Sequence, residues 1–201
     1  MHAETRPVVE PAALAVDAVS GALLGDAERY EKYIDDLAGL YLDDDAYASA
    51  VSATDGEPVY WVDSSVVERG EGALTIGVSV LRPGLIGDEY AMTRGHLHAV
   101  AEHAEMYFGL AGEGVMLLDS LDGRSRAVRI GPGTVVHVPG GWVHRSVNVG
   151  AETLVTLFCY ATEAGQDYGL IERAGGMSTL IVTSPDGWTA RPNPRHKGYR
   201  D

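Results

Sequence analysis

Arg94-Gly95-His96-Leu97-His98, followed by Glu105 and, much later, by His144, is the stretch on which the reading of this chain turns. In an extended run, residues i and i+2 point to the same face, so the imidazoles of His96 and His98 can converge on one point. Glu105 opens the next strand-like run, Glu105-Met106-Tyr107-Phe108-Gly109-Leu110. His144 follows Pro139-Gly140-Gly141-Trp142-Val143, a turn-rich segment leading into another strand. Three imidazoles and one carboxylate delivered from β-hairpins onto one face can bind a divalent transition metal and leave positions open for water or substrate. A lone HxH is common among surface histidines. Here each part occupies its own strand-like run, and the glycine and proline punctuation brings His144 back to the first pair.

Outward from this stretch the pattern is β. Val59-Tyr60-Trp61-Val62 reads as a short strand, and Leu74, Ile76, Val78 and Val80 alternate with Thr75, Gly77 and Ser79 as a half-buried strand of period two. Arg82-Pro83-Gly84 closes it with a turn. Further strands are expected over 90–98, 105–110, 114–119, 127–130, 134–138, 145–149, 153–160 and 178–183. Separators such as Leu121-Asp122-Gly123 and Gly131-Pro132-Gly133 lie between them. This rhythm predicts an antiparallel all-β barrel or jelly roll with the metal ligands meeting inside it.

The flanks differ. Met1 to Pro11 reads as a draped arm. Tyr30, Tyr33, Ile34 and Leu37 fall at helical spacing and predict a helix over 26–37 lying outside the sheet. The acidic run Asp43-Asp44-Asp45 suits the N-terminus of a second short helix. Leu170 to Arg173 reads as a helical turn, and Arg191, Arg195, Lys197 and Arg200 make the tail a basic arm suited to an acidic surface. The expected organisation is an N-terminal arm with helices (1–57), a barrel (58–183) and a basic tail (184–201).

Lys and Arg number 15 against 29 Asp and Glu, a net charge of −14, which argues against nucleic acid or an anionic membrane as partner. An anionic substrate must then be held by local donors and the metal. Cys159 is the single cysteine, so no internal disulfide forms; it sits in an apolar strand as a buried, inert thiol, as suits a reducing cytoplasm. No signal-like or membrane-spanning stretch is expected.

Gly95-His96-Leu97-His98…Glu105…Gly112 and Pro132-Gly133…Val138-Pro139…His144…Asn148 resemble the two halves of the cupin motif. Thr93 to His98, Ala104-Glu105-Met106-Tyr107, Gly114 to Leu118, Pro139 to Asn148 and Ala164-Gly165-Gln166-Asp167-Tyr168-Gly169 go further. They are similar to the cupin-type glucose-6-phosphate isomerases of archaea. The resemblance implies a double-stranded β-helix and a homodimer. It implies one divalent transition metal per chain on His96, His98, Glu105 and His144, Fe²⁺ foremost, with Mn²⁺, Ni²⁺, Zn²⁺ or Co²⁺ as alternatives. It also implies a sugar-phosphate substrate, with phosphate recognised by Ser79, Thr93, the Gly95 N–H and Tyr160. Tyr107, two residues from Glu105, shares its strand face, and Gln166 and Tyr168 stand where the family contacts sugar.

For an aldose–ketose isomerase, Glu105 is the candidate base that takes the proton beside the carbonyl while the metal stabilises the enediolate. A ligating carboxylate is a weak base, so a metal-assisted hydride shift is the competing route. The ligand set equally serves an iron-dependent dioxygenase, a cupin acting on another sugar, or a non-catalytic sugar-phosphate-binding cupin. Two positions depart from the family: Gln166 replaces its usual histidine and cannot titrate, and Arg94 replaces its usual lysine.

Overall fold

The structure, a computed structural model, describes residues 8–199. β1 (Ala15–Val16) and β2 (Leu23–Leu24) form a small hairpin, followed by β3 (Glu28–Lys32), a 3₁₀ turn at Ile34–Leu37 and α1 (Asp44–Ala53). The chain continues through β4 (Tyr60–Val66), β5 (Leu74–Leu81), β6 (Leu85–Ile86), β7 (Glu89–Tyr90), β8 (Glu105–Ala111) and β9 (Gly114–Ser120). Then come β10 (Ser125–Ile130), β11 (Val135–Val138), β12 (Trp142–Asn148), β13 (Leu154–Ala161), α2 (Gly169–Arg173), β14 (Thr179–Ser184) and β15 (Gly187–Pro192).

A six-stranded sheet, β11-β8-β13-β5-β4-β3, faces a three-stranded sheet, β10-β9-β12, and every named pairing in both is antiparallel. Val62, Val138 and Phe158 of the first sheet share one core with Val115, Leu117 and Val143 of the second. Each such side chain contributes about 1.5–3 kcal/mol on burial. Asn148 of β12 donates to the Leu81 carbonyl at 2.9 Å and ties the two sheets together. This is the jelly-roll barrel that the turn rhythm predicts.

β5 is buried on both faces rather than one. Val78 and Val80 point outward into a second apolar cluster covered by Leu23, with Leu14, Val16 and Trp61 packed against it. Ser79 faces the interior cavity. Gly77 lies on that inner side, where a Cβ would run into the Phe158 ring and the Asp63 carbonyl.

Three sequence expectations are corrected. The helix expected over 26–37 is a strand and a 3₁₀ turn: β3 pairs antiparallel with β4, Tyr30 opposite Val62. Ile34 and Leu37 are buried as a helix reading requires, but Tyr30 is claimed by the sheet edge, which offers a full ladder of hydrogen bonds. The strand expected over 90–98 is broken. Gly95 has φ +76°, and the segment pairs through isolated bridges, Met92 to Val147, His96 to His144 and Leu97 to Asp167, in place of a continuous ladder. The strand expected over 145–149 starts earlier, as β12 at Trp142, so that His144 lies inside it.

Asp43 caps α1, accepting from the Ala46 N–H at 2.8 Å, with Asp44 and Asp45 in the first turn. The basic tail packs on the chain's own acceptors. Arg191 forks onto Asp88 at 2.6 and 3.1 Å, and Arg195 reaches Asp44 at 2.8 Å and the Leu42 carbonyl at 2.9 Å. The arm expected over Met1 to Pro11 falls mostly on residues 1–7, which lie outside the described residues, as does Arg200 of the tail.

Candidate metal centre

His96, His98, Glu105 and His144 come together inside the barrel, their ligand atoms all within 4.8 Å of one another. Bonds of about 2.0–2.2 Å can bridge that spacing with small side-chain adjustments. Glu105 begins β8, His144 lies in β12, and the irregular segment 94–98 is bridged to β12 by reciprocal His96 N–H to His144 carbonyl (3.0 Å) and His144 N–H to His96 carbonyl (2.9 Å) bonds. Gly95 makes this approach possible. A Cβ there would stand 2.9 Å from the His144 carbonyl oxygen and 3.0 Å from Arg145 Cβ.

The donor chemistry tests the fit to a cation. His98 Nδ1 lies 2.8 Å from the His103 carbonyl and His144 Nδ1 lies 2.9 Å from the Trp142 carbonyl. A carbonyl only accepts, so both Nδ1 atoms donate, and each ring in its neutral form turns a bare Nε2 lone pair to the centre. Those Nε2 atoms face Glu105 Oε2 at 3.1 and 2.9 Å, and His96 Nε2 stands 3.8 Å away, buried and without a hydrogen-bond partner. Acceptors gathered on one point call for a cation between them, and the carbonyls behind His98 and His144 are the outer contacts that orient metal-binding imidazoles. No thiolate takes part, which sets the site apart from structural zinc.

Groups within the cluster also shift one another's titration. Burial, reinforced by the neighbouring His144, pushes His96 down to about 4. Burial opposes charge on His98 as well, but its bonds to Glu105 and the His103 carbonyl outweigh it and raise its pKa. Burial alone would raise Glu105; the neighbouring His144, His96 and His98 imidazoles hold the carboxyl well below the usual range.

Beside the cluster lies a cavity lined by Ser79, Thr93, Gly95, Tyr107, Tyr160, Gln166 and Tyr168, together with His96 and Glu105. All seven substrate contacts expected in the sequence analysis therefore line one space. Tyr160 sits opposite Glu105 in the β13–β8 register, and Tyr107 shares the buried face of β8 with Glu105. Thr93 Oγ1 accepts from the Ser146 N–H at 3.0 Å. The Tyr168 hydroxyl donates to Gln166 Oε1. Arg94 stacks 5.5 Å from the Tyr168 ring and meets Glu172 at 3.6 Å, so its fork is held at the mouth of the cavity. Cys159 is half-buried rather than buried, and burial, with Glu105 nearby, raises its thiol pKa.

Sequence reasoning missed Tyr30, Tyr60, Val62, Ser64, Ser146 and Phe158, which complete the lining. Ser146 carried a signal, standing two residues beyond His144 on the same face of β12. Tyr30 was hidden by the helical reading of its segment.

Comparison with known proteins bears directly on this geometry. Residues 31–197 match the family described as glucose-6-phosphate isomerase (GPI). The glucose-6-phosphate isomerase of Sinorhizobium medicae is 44% identical over 178 residues, covering 89% of this chain and 83% of that one. The chain belongs to the cupin-type glucose-6-phosphate isomerase family. Another member, the glucose-6-phosphate isomerase of Thermococcus kodakarensis, is 37% identical over 187 residues, covering 93% of this chain and 97% of its own. Among solved structures, a chain of Bacillus subtilis oxalate decarboxylase OxdC aligns with a TM-score of 0.43 and 21% identity, over 56% of this chain and 27% of that one.

Proposed function

We propose that the chain is a metal-dependent isomerase that interconverts glucose 6-phosphate and fructose 6-phosphate. The observation that carries this reading is the cluster of three imidazoles around Glu105 Oε2, opening onto a cavity rich in hydroxyls. His96, His98, Glu105 and His144 hold the metal. When bound, it supplies Lewis acidity to neighbouring oxygens of an open-chain sugar. Glu105 removes the proton from the carbon beside the carbonyl and returns it to the former carbonyl carbon, while the hydroxyl proton passes from one of the two neighbouring oxygens to the other. Its Oε2 is the oxygen that the imidazoles surround, leaving Oε1 for the proton. Tyr107, on the same buried face of β8 as Glu105, lines the cavity beside the carboxylate. Ser79, Thr93, the Gly95 N–H and Tyr160 take the phosphate, and Gln166 and Tyr168 face the sugar. In a chain of charge −14, hydroxyl and amide donors supply locally what the global field withholds.

Fe²⁺ is the first metal to reconstitute, followed by Mn²⁺, Ni²⁺, Zn²⁺ and Co²⁺. The protein works as a cytoplasmic homodimer in this reading, a state supported by edge strand β11, where Val135 is 61% exposed; sedimentation as a monomer removes the dimer. The activity test is a coupled assay from fructose 6-phosphate to glucose 6-phosphate with and without chelator. Turnover that chelation leaves intact sinks the metal role, and no turnover with any of the five metals sinks the isomerase. Deuterium from solvent enters the product if Glu105 carries the proton; its complete absence favours the hydride shift.

A further inference from the structure

Arg145 follows ligand His144 in β12 and is 4% exposed. Its Nη2 donates to the Arg94 carbonyl at 3.0 Å, Nη1 lies against Met92 Sδ, and Nε is buried without a hydrogen-bond partner among the described residues. Burial opposes the charge of Arg145 and lowers its pKa; Tyr199, Tyr41 and the buried acids Asp119 and Glu89 offset that in part. Those carboxylates also spend acceptor capacity elsewhere, Asp119 on the Ser178 N–H and Tyr199 hydroxyl and Glu89 on the Leu42 N–H.

The Arg94 carbonyl and the Gly95 N–H belong to one peptide unit. No cis peptide occurs among the described residues, and in a trans peptide the two groups point in opposite directions. With the carbonyl held by the guanidinium, the N–H is turned the other way. Gly95 lines the cavity, and its N–H has no acceptor among the described residues.

We propose that Arg145 is a positioning residue that turns the Arg94–Gly95 peptide into an anion donor, gripping the carbonyl from inside the barrel so that a polarised N–H faces the phosphate of the substrate. A cation on the carbonyl strengthens the N–H as a donor, because hydrogen bonds in series polarise one another. The positive charge of Arg145 thus reaches the anion through a peptide bond, from behind the cavity wall, whereas Arg94 stands at the cavity's mouth. This inference rests on the isomerase reading only for the identity of the anion's carrier.

The test is ¹⁵N-glycine-labelled, zinc-loaded protein titrated with inorganic phosphate, comparing wild type with Arg145→Met. In wild type the Gly95 amide proton is expected to move downfield to saturation. In Arg145→Met, with metal stoichiometry unchanged, phosphate affinity is expected to fall about fivefold to tenfold, as when a charge-assisted donor becomes a neutral one. KM for fructose 6-phosphate rises by the same factor with kcat changed by less than about twofold. If Arg145→Met does not fold, Arg145→Gln, neutral and polar, is read in the same way with the same expected loss. Unchanged phosphate affinity in the folded variant, or a Gly95 amide blind to phosphate in wild type, overturns the proposal. A wild type that isomerises nothing, yet shows the Gly95 shift and its loss in the variant, leaves this inference standing and removes the isomerase reading alone.

Discussion

Glu105→Gln separates holding the metal from moving the proton. The substitution is nearly isosteric and removes one buried charge. It places an amide where Oε2 now faces the lone pairs of His98 Nε2 at 3.1 Å and His144 Nε2 at 2.9 Å. A Gln NH₂ can donate to either nitrogen, so the metal-free variant is expected to fold with a thermal midpoint equal to or above wild type. In the loaded protein the oxygen ligand survives as an amide carbonyl, and stoichiometric binding is recovered at higher metal concentration. The group that titrates is gone. A general base is worth about 10²–10⁴ in rate, so kcat should fall by that factor, equivalent to about 2.7–5.4 kcal/mol in the barrier, while KM changes little. The assay is coupled fructose 6-phosphate turnover under saturating metal, with metal content measured on the same sample. A near-normal kcat in the fully loaded variant would refute the assignment of Glu105 as base and move the proton elsewhere.

His96→Ala and His144→Ala each remove one of three imidazoles and should abolish stoichiometric metal binding by elemental analysis; a full complement in both variants contradicts the site. Gly95→Ala places a Cβ 2.9 Å from the His144 carbonyl at φ +76°, a left-handed conformation that costs an L-residue about 1–2 kcal/mol. It should lower the denaturation midpoint and weaken metal retention together, and a midpoint equal to wild type would mean that the segment relaxes freely. Glu89, raised chiefly by burial, titrates higher folded than unfolded. The unfolded chain gives up that proton first, so Glu89 costs stability as pH rises from its unfolded value through its folded one. Glu89→Gln keeps an acceptor for the Leu42 N–H and should gain on wild type across that window in denaturant titrations; parallel curves at all pH values rule this out.

The barrel was legible because its strands announce themselves. Leu74 to Val80 alternate, and glycine and proline turns recur at short intervals, so local sequence alone sets the period. The ligands were legible for a related reason: His96, His98, Glu105 and His144 carry chemistry that a surface has little use for at that spacing. The segment 26–37 was not legible, because Tyr30, Tyr33, Ile34 and Leu37 satisfy a helix as well as they satisfy a strand followed by a 3₁₀ turn. The open edge of β4 decides between them, and that edge lies far along the chain.

The sequence by itself determined which residue types can meet a cation and how the strands are punctuated, since both depend on side-chain chemistry and near-neighbour sterics. Only the tertiary structure decided that Nδ1 of His98 and of His144 is spent on backbone carbonyls, that Tyr30 closes the cavity wall, and that Arg145 stands behind the Gly95 peptide. Each of these rests on a contact between groups distant in the chain or on the direction of a hydrogen bond, and no local pattern encodes either.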